Sequence, residues 1–124
     1  MKFYELLEYW AYMLRSKALY HELKYYVKKK QTHIKRLHHF NGRGIGKTYN
    51  LMKISGKYKI PVVVPTITMA NEDYMRFTKF NPIIFTPEQL RGIIKPGEVI
   101  LVDDKDILNE SIKTELDKYI QIGF

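Results

Sequence analysis

An α/β fold is what the sequence predicts, with about five mostly parallel strands flanked by helices and an N-terminal helical extension in front of them. Three observations carry this. Apolar residues at Phe3, Leu6, Leu7, Trp10, Met13 and Leu14 recur at the spacing of one helical face. Further along, short apolar runs alternate with helical stretches, the repeated strand, turn and helix that builds a parallel sheet. Gly56, Pro82, Pro96 and Gly97 punctuate the boundaries. The chain therefore divides into a basic, aromatic helical extension over residues 1–33 and an α/β core over residues 34–124.

Taken in order, the helix that starts at Phe3 reaches Leu14, and Leu19, Tyr20, Leu23, Tyr26 and Val27 continue the pattern. They form a second helix after Ser16 or the rest of one long helix. Tyrosines at 4, 9, 12, 20, 25 and 26 are spread round more than one face. Strands are expected at Leu37–Phe40, Ile60–Pro65, Ile83–Phe85, Val99–Val102 and Tyr119–Ile122. Helices are expected from Gly46 to near Ser55, then over Asn71–Thr78, Pro87–Ile93 and Glu110–Lys118. Thr86, Pro87 and Gln89 form a capping box at the third of these: a side-chain acceptor at the N-cap, proline at the first helical position and an amide reaching back from the third.

At 124 residues and 45% hydrophobic content, the chain suits one globular domain and does not read as disordered. It holds no cysteine, so disulfides, thiolate metal sites and cysteine nucleophiles are excluded. Its first residues carry acids within the apolar stretch, unlike a signal peptide, and no run of about 20 apolar residues could span a bilayer. A cytoplasmic protein without a membrane partner is expected. The net charge of +8 is uneven: residues 1–60 hold 14 Lys/Arg against 3 acids, or +11, and residues 61–124 hold 7 against 10, or −3. Lys28, Lys29, Lys30, Lys35 and Arg36 concentrate the excess. Such a stretch suits a polyanion, DNA or RNA, because each neutralised phosphate releases counterions, although a solvated basic face or an acidic protein surface would use the same residues.

The segment Asn41-Gly42-Arg43-Gly44-Ile45-Gly46-Lys47-Thr48 has the spacing of a phosphate-binding loop, and it leads through Tyr49 into a helix. Glycines let backbone N–H groups turn toward an anion, and the following helix adds the positive end of its dipole. Lys47 is expected at the β- and γ-phosphates, with the Thr48 hydroxyl on Mg²⁺, a hard ion that prefers oxygen. Asn41 stands where the pattern has its first glycine, a substitution that asparagine's tolerance of left-handed backbone permits. About fifty residues later, four β-formers, Val99-Ile-Leu-Val102, run into Asp103 and Asp104.

Together these segments resemble the Walker A and Walker B motifs of P-loop nucleoside triphosphatases. The resemblance implies Asp103 in the Mg²⁺ shell and Asp104 where RecA-like ATPases carry a water-activating Glu, so that Lys47 and Asp104 would be catalytic. Between the motifs, Val62-Val-Val-Pro-Thr66-Ile-Thr-Met-Ala70 and Thr86-Pro-Glu-Gln-Leu90 resemble the segments of superfamily 2 helicases and viral terminase ATPases that touch nucleic acid. The compact arrangement is similar to small P-loop proteins of phage genomes. A second RecA-like domain with an arginine finger is missing, so the resemblance implies that another subunit or a partner supplies the finger, with Arg91, Arg76 and Arg43 as candidates. The expected function is binding of ATP, or GTP, with Mg²⁺ and slow hydrolysis coupled to DNA-related work. The competing expectation is a P-loop-fold module that engages a protein partner without hydrolysis. A nucleotide kinase is disfavoured, since no arginine-bearing lid follows the last helix.

Overall fold

The computed structural model describes residues 2–29, 35–36 and 46–124, with residues 35–36 as backbone. The expected strand Leu37–Phe40, the loop residues Asn41, Gly42, Arg43, Gly44 and Ile45, and Lys30 lie outside the described residues.

Helix α1 (Phe3–Lys29) is one helix of 27 residues, so Ser16 does not divide it. No glycine or proline interrupts this stretch, and Glu5 near its start and Lys28 and Lys29 at its end complement the helix dipole. At a 1.5 Å rise per residue it is about 40 Å long. Only its second half joins the core, through Leu19, Leu23 and Val27. Most apolar residues of its first half face solvent, with Phe3 75%, Trp10 57% and Leu14 69% exposed.

A parallel sheet follows, built from β1 (Lys35–Arg36), β2 (Pro61–Val63), β3 (Ile83–Phe85), β4 (Val99–Val102) and β5 (Ile120–Gly123), in the order β1-β5-β4-β2-β3. Every pairing is parallel, with Lys35 opposite Ile122, Leu101 opposite both Ile122 and Val62, and Val63 opposite Phe85. Helices α2 (Lys47–Tyr58), α3 (Ile67–Arg76) and α4 (Glu110–Leu116) connect the strands, with 3₁₀ turns at Thr78–Phe80, Pro87–Leu90 and Lys105–Ile107. Side chains of parallel strands alternate between faces, and both faces are covered. On one face Leu101, Ile122 and Val62 meet α1, α2 and α3 through Leu19, Leu23, Leu51, Ile54, Ala70 and Phe77. On the other, Ile100, Val102 and Val63 meet Leu90, Leu108 and Leu116.

The helix expected from Gly46 to near Ser55 runs on to Tyr58, the one expected over Glu110–Lys118 ends at Leu116, and two others differ more. The helix expected at Asn71 begins at Ile67, because the Thr66 side chain accepts a hydrogen bond from the Met69 N–H at 3.2 Å and so caps it. The helix expected over Pro87–Ile93 is only the 3₁₀ turn Pro87–Leu90: Arg91 is extended and Gly92 has φ 75°, neither of which continues a helix. The expected capping box is present, with the Thr86 N–H donating to Gln89 Oε1 at 2.9 Å.

Two glycines hold elements at distances no other residue allows. A Cβ on Gly56 of α2 would lie 1.8 Å from the Phe80 carbonyl oxygen. One on Gly123, where φ is 143°, would lie 2.2 Å from the Val102 carbonyl oxygen.

Candidate functional site

Chain direction reverses across the sheet between β2 and β4. The chain passes outward from β2 to β3, and from β4 it passes the other way to β5. In parallel α/β sheets, the crevice beyond the carboxyl ends of the strands at such a reversal is where ligands bind. Here Asp103 follows the last residue of β4, and its N–H donates to the Val63 carbonyl at 3.0 Å, which fixes the residue against the end of β2.

The N-terminus of α2 meets that point. Gly46 adopts a left-handed conformation (φ 77°) and turns the chain into the helix. Two residues on, Thr48 Oγ1 donates to Asp103 Oδ2 at 2.9 Å, joining residues 55 positions apart. Asp103 is 3% exposed. Burial raises its carboxyl to about 6, the adjacent Asp104 adds to the rise, and the Thr48 hydrogen bond opposes it. A carboxylate held in this way gains from any cation that arrives.

Lys47 forms no ion pair among the described residues, and its Nζ lies 5.3 Å from the centroid of the Phe124 ring. Asp104 is exposed, with φ 52°, and opens the 3₁₀ turn Lys105–Ile107. Tyr49 packs edge-on against Phe77 and Phe80, with centroids 6.3 and 5.2 Å away. Its ring therefore belongs to the α2 packing. Lys28 and Lys29 are exposed at the end of α1, with Lys29 Nζ 5.8 Å from the Tyr25 centroid. Lys35 and Arg36 form β1.

Three features of the site escaped the sequence reading. Asp73 on α3 faces it: burial raises this carboxyl, Arg76 opposes the rise, and Glu72 and Asp104 add to it. Asn50, 2% exposed, donates through Nδ2 to the Gly46 carbonyl at 2.9 Å, to the Ser16 carbonyl at 3.1 Å and to Ser16 Oγ at 3.0 Å. It thereby ties α1 to the start of α2. An asparagine four residues after the glycine was the available signal, since i and i+4 share a helix face. The lysines over tyrosine rings along α2, Lys53 and Lys57, are the third. Conversely, Thr66 and Thr86, each in one of the two segments between the loop and β4, are engaged as caps, Thr66 on α3 and Thr86 on its 3₁₀ turn.

Of the candidate arginines, Arg91 is held in an ion pair. Arg91 pairs with Glu115, Nη2 to Oε2 being 2.8 Å, and the Arg76 guanidinium lies 5.7 Å from the Phe77 ring. Arg43 lies outside the described residues.

Among the described residues no three His, Cys, Asp or Glu side chains converge as a metal cage. The donors that do converge, a hydroxyl and a carboxylate, are hard oxygens of the kind Mg²⁺ uses when phosphates and water supply the rest of its shell. No described helix is long and apolar enough to cross a membrane. Comparison of the chain with protein-family models, curated proteins and solved structures returns no match.

Proposed function

We propose that the chain is a P-loop nucleotide-binding protein that takes ATP, or GTP, with Mg²⁺ between the start of α2 and the end of β4, and hydrolyses it slowly in work at a nucleic acid. The observation that carries this reading is the 2.9 Å bond from Thr48 to Asp103. A helix N-terminus and a buried strand end meet there, through the two side chains that a phosphate-bound Mg²⁺ needs. Thr48 Oγ1 and Asp103 would hold the ion, Asp103 directly or through water, and the ion would neutralise charge on the β- and γ-phosphates. Lys47, which pairs with no carboxylate among the described residues, would meet the same phosphates as a point charge. Gly46 and the N-terminal turn of α2 supply N–H groups and the positive dipole end. Asp104, exposed at the rim, would orient the attacking water.

Binding of nucleotide to the native state alone raises the unfolding temperature by mass action. The expected result is a Mg²⁺-dependent thermal shift with ATP, abolished by Lys47→Ala without loss of the fold. A variant with unchanged nucleotide affinity would remove the assignment.

Slow turnover follows from the arginines. Phosphoryl transfer is accelerated by a cation placed on the transferring group, and among the described residues no arginine forms an ion pair or side-chain hydrogen bond with Thr48 or Asp103. Turnover by dilute protein should be slow and should rise with protein concentration or an added partner. Fast, concentration-independent turnover would contradict this.

A second reading, a module that engages a protein partner without hydrolysis, draws on the exposed apolar residues of the first half of α1. Stimulation of turnover by nucleic acid favours the first reading over the second.

A further inference from the structure

Helix α2 contains no acidic residue, and α1 from Ser16 onward contains one, Glu22. Where the two helices pack, they leave a groove of about 340 Å³ lined in part by Lys17, Tyr20, His21, Tyr49 and Lys53. The cations along this seam lie over rings. Lys53 Nζ is 4.6 Å from the Tyr20 centroid, and Lys57 Nζ is 3.3 Å from the Tyr20 hydroxyl. Lys79, on the neighbouring 3₁₀ turn, lies 5.4 Å from the Tyr49 centroid. None of Lys17, Lys53, Lys57 and Lys79 forms an ion pair with a described residue. Glu22 is half-buried and accepts a hydrogen bond from the Tyr26 hydroxyl.

We infer that this seam is a binding surface for single-stranded nucleic acid. Cations that find only tyrosine rings and a tyrosine hydroxyl are open to phosphates, and the half-buried Tyr20 ring set among them offers a platform on which an unpaired base stacks. Lys53 and Lys57 are one helical turn apart on one face of α2, so they form a track along the helix. The shape selects single strands. A groove of about 340 Å³ between two packed helices has room for a splayed base, whereas the bases of a duplex stay stacked and paired and do not reach the rings. The track also exceeds the needs of one triphosphate held by Lys47, since it continues to Lys57 in the last turn of α2. It adds a surface to the proposed nucleotide site and does not depend on that site. The basic end of α1, with Lys28 and Lys29, extends it.

The test is fluorescence anisotropy of a labelled oligothymidylate in EDTA without nucleotide, titrated across salt concentrations. Wild-type protein should bind, with log K falling linearly in log salt. The variant Lys53→Gln/Lys57→Gln/Lys79→Gln should bind more weakly, its slope shallower by about 2 because each lost single-strand phosphate contact removes about 0.7. Tyr20→Leu should weaken binding about tenfold while keeping the salt slope. Far-UV circular dichroism and the urea midpoint show that each variant is folded. Lys47→Ala, which tests the nucleotide site, should leave oligonucleotide affinity unchanged, so the two readings fail separately. The inference is overturned by an unchanged slope in the triple-lysine variant, by equal affinity for duplex, by displacement of the oligonucleotide with saturating ATP and Mg²⁺, or by no binding at low salt. The last outcome would leave the seam to an acidic protein surface.

Discussion

Replacing Asp103 with Asn should stabilise the metal-free protein at neutral pH while removing its response to nucleotide. Asp103 is buried, beside Asp104, and its carboxyl stands at about 6 against an ordinary 3.8. The folded protein therefore holds this proton more tightly than the unfolded chain does between those values. Linkage then makes stability fall as pH rises through that window: the protonated carboxyl's contribution is intact below pH 3.8 and lost above about 6. At about 1.4 kcal/mol per pKa unit, the loss is about 3 kcal/mol. Asparagine keeps an oxygen that accepts the Thr48 hydroxyl but carries no charge to bury. Urea denaturation in EDTA should show the variant and wild type alike near pH 4, with the variant ahead by about 2–3 kcal/mol at pH 7.5. Adding Mg²⁺ and ATP should reverse the order, because only the wild type gains a ligand. A variant less stable than wild type at pH 7.5 in EDTA would refute the claim that the buried charge opposes folding.

Two further substitutions test the framework of the site. Gly123→Ala should destabilise by about 3 kcal/mol or more, since its Cβ would lie 2.2 Å from the Val102 carbonyl oxygen at a backbone angle that L-residues resist; a urea midpoint within error of wild type would count against the close approach of β5 to β4. Asn50→Leu leaves the Gly46 and Ser16 carbonyls without their side-chain donor, at a cost of about 1–3 kcal/mol. Hydrogen exchange should report faster opening at the start of α2 than at β4, and a uniform change would refute a local role for Asn50.

Some of this was legible in the sequence, for reasons that particular residues show. Val99–Val102 and Ile83–Phe85 are runs of β-formers with turn residues beside them, and both are strands at the expected positions. The loop spacing named Lys47 and Thr48, and the strand ending in two acids named Asp103, so the meeting of Thr48 with Asp103 could be expected from order along the chain. The capping box at Thr86 is local chemistry and equally readable. Less was visible where tertiary context decides. Periodicity in α1 announced a helix but not which half would be covered, since a stripe does not name its partner: Trp10 and Leu19 lie on equally apolar stretches, yet one is exposed and the other buried. Asp73 belongs to no pattern, and only the packing of α3 brings it toward Asp103 and Asp104. Gly92 halted the helix expected through Ile93 because its positive φ is a property of the fold, not of the residue alone.

The pairing of β1 with β5 has a consequence for how the protein is made. Lys35 lies opposite Ile122, and β5 is the strand that β1 pairs with. A ribosome adding about 5–20 residues per second takes about 4–17 seconds to travel between those two positions. During that interval β2, β3 and β4 can assemble, whereas β1 has nothing to join and its edge stays open. Both residues of β1, Lys35 and Arg36, are cations, and charge on an edge strand disfavours pairing with other chains. Long-range closure of this kind slows folding, so a refolding experiment should see the β2-β3-β4 half of the sheet protected before β1.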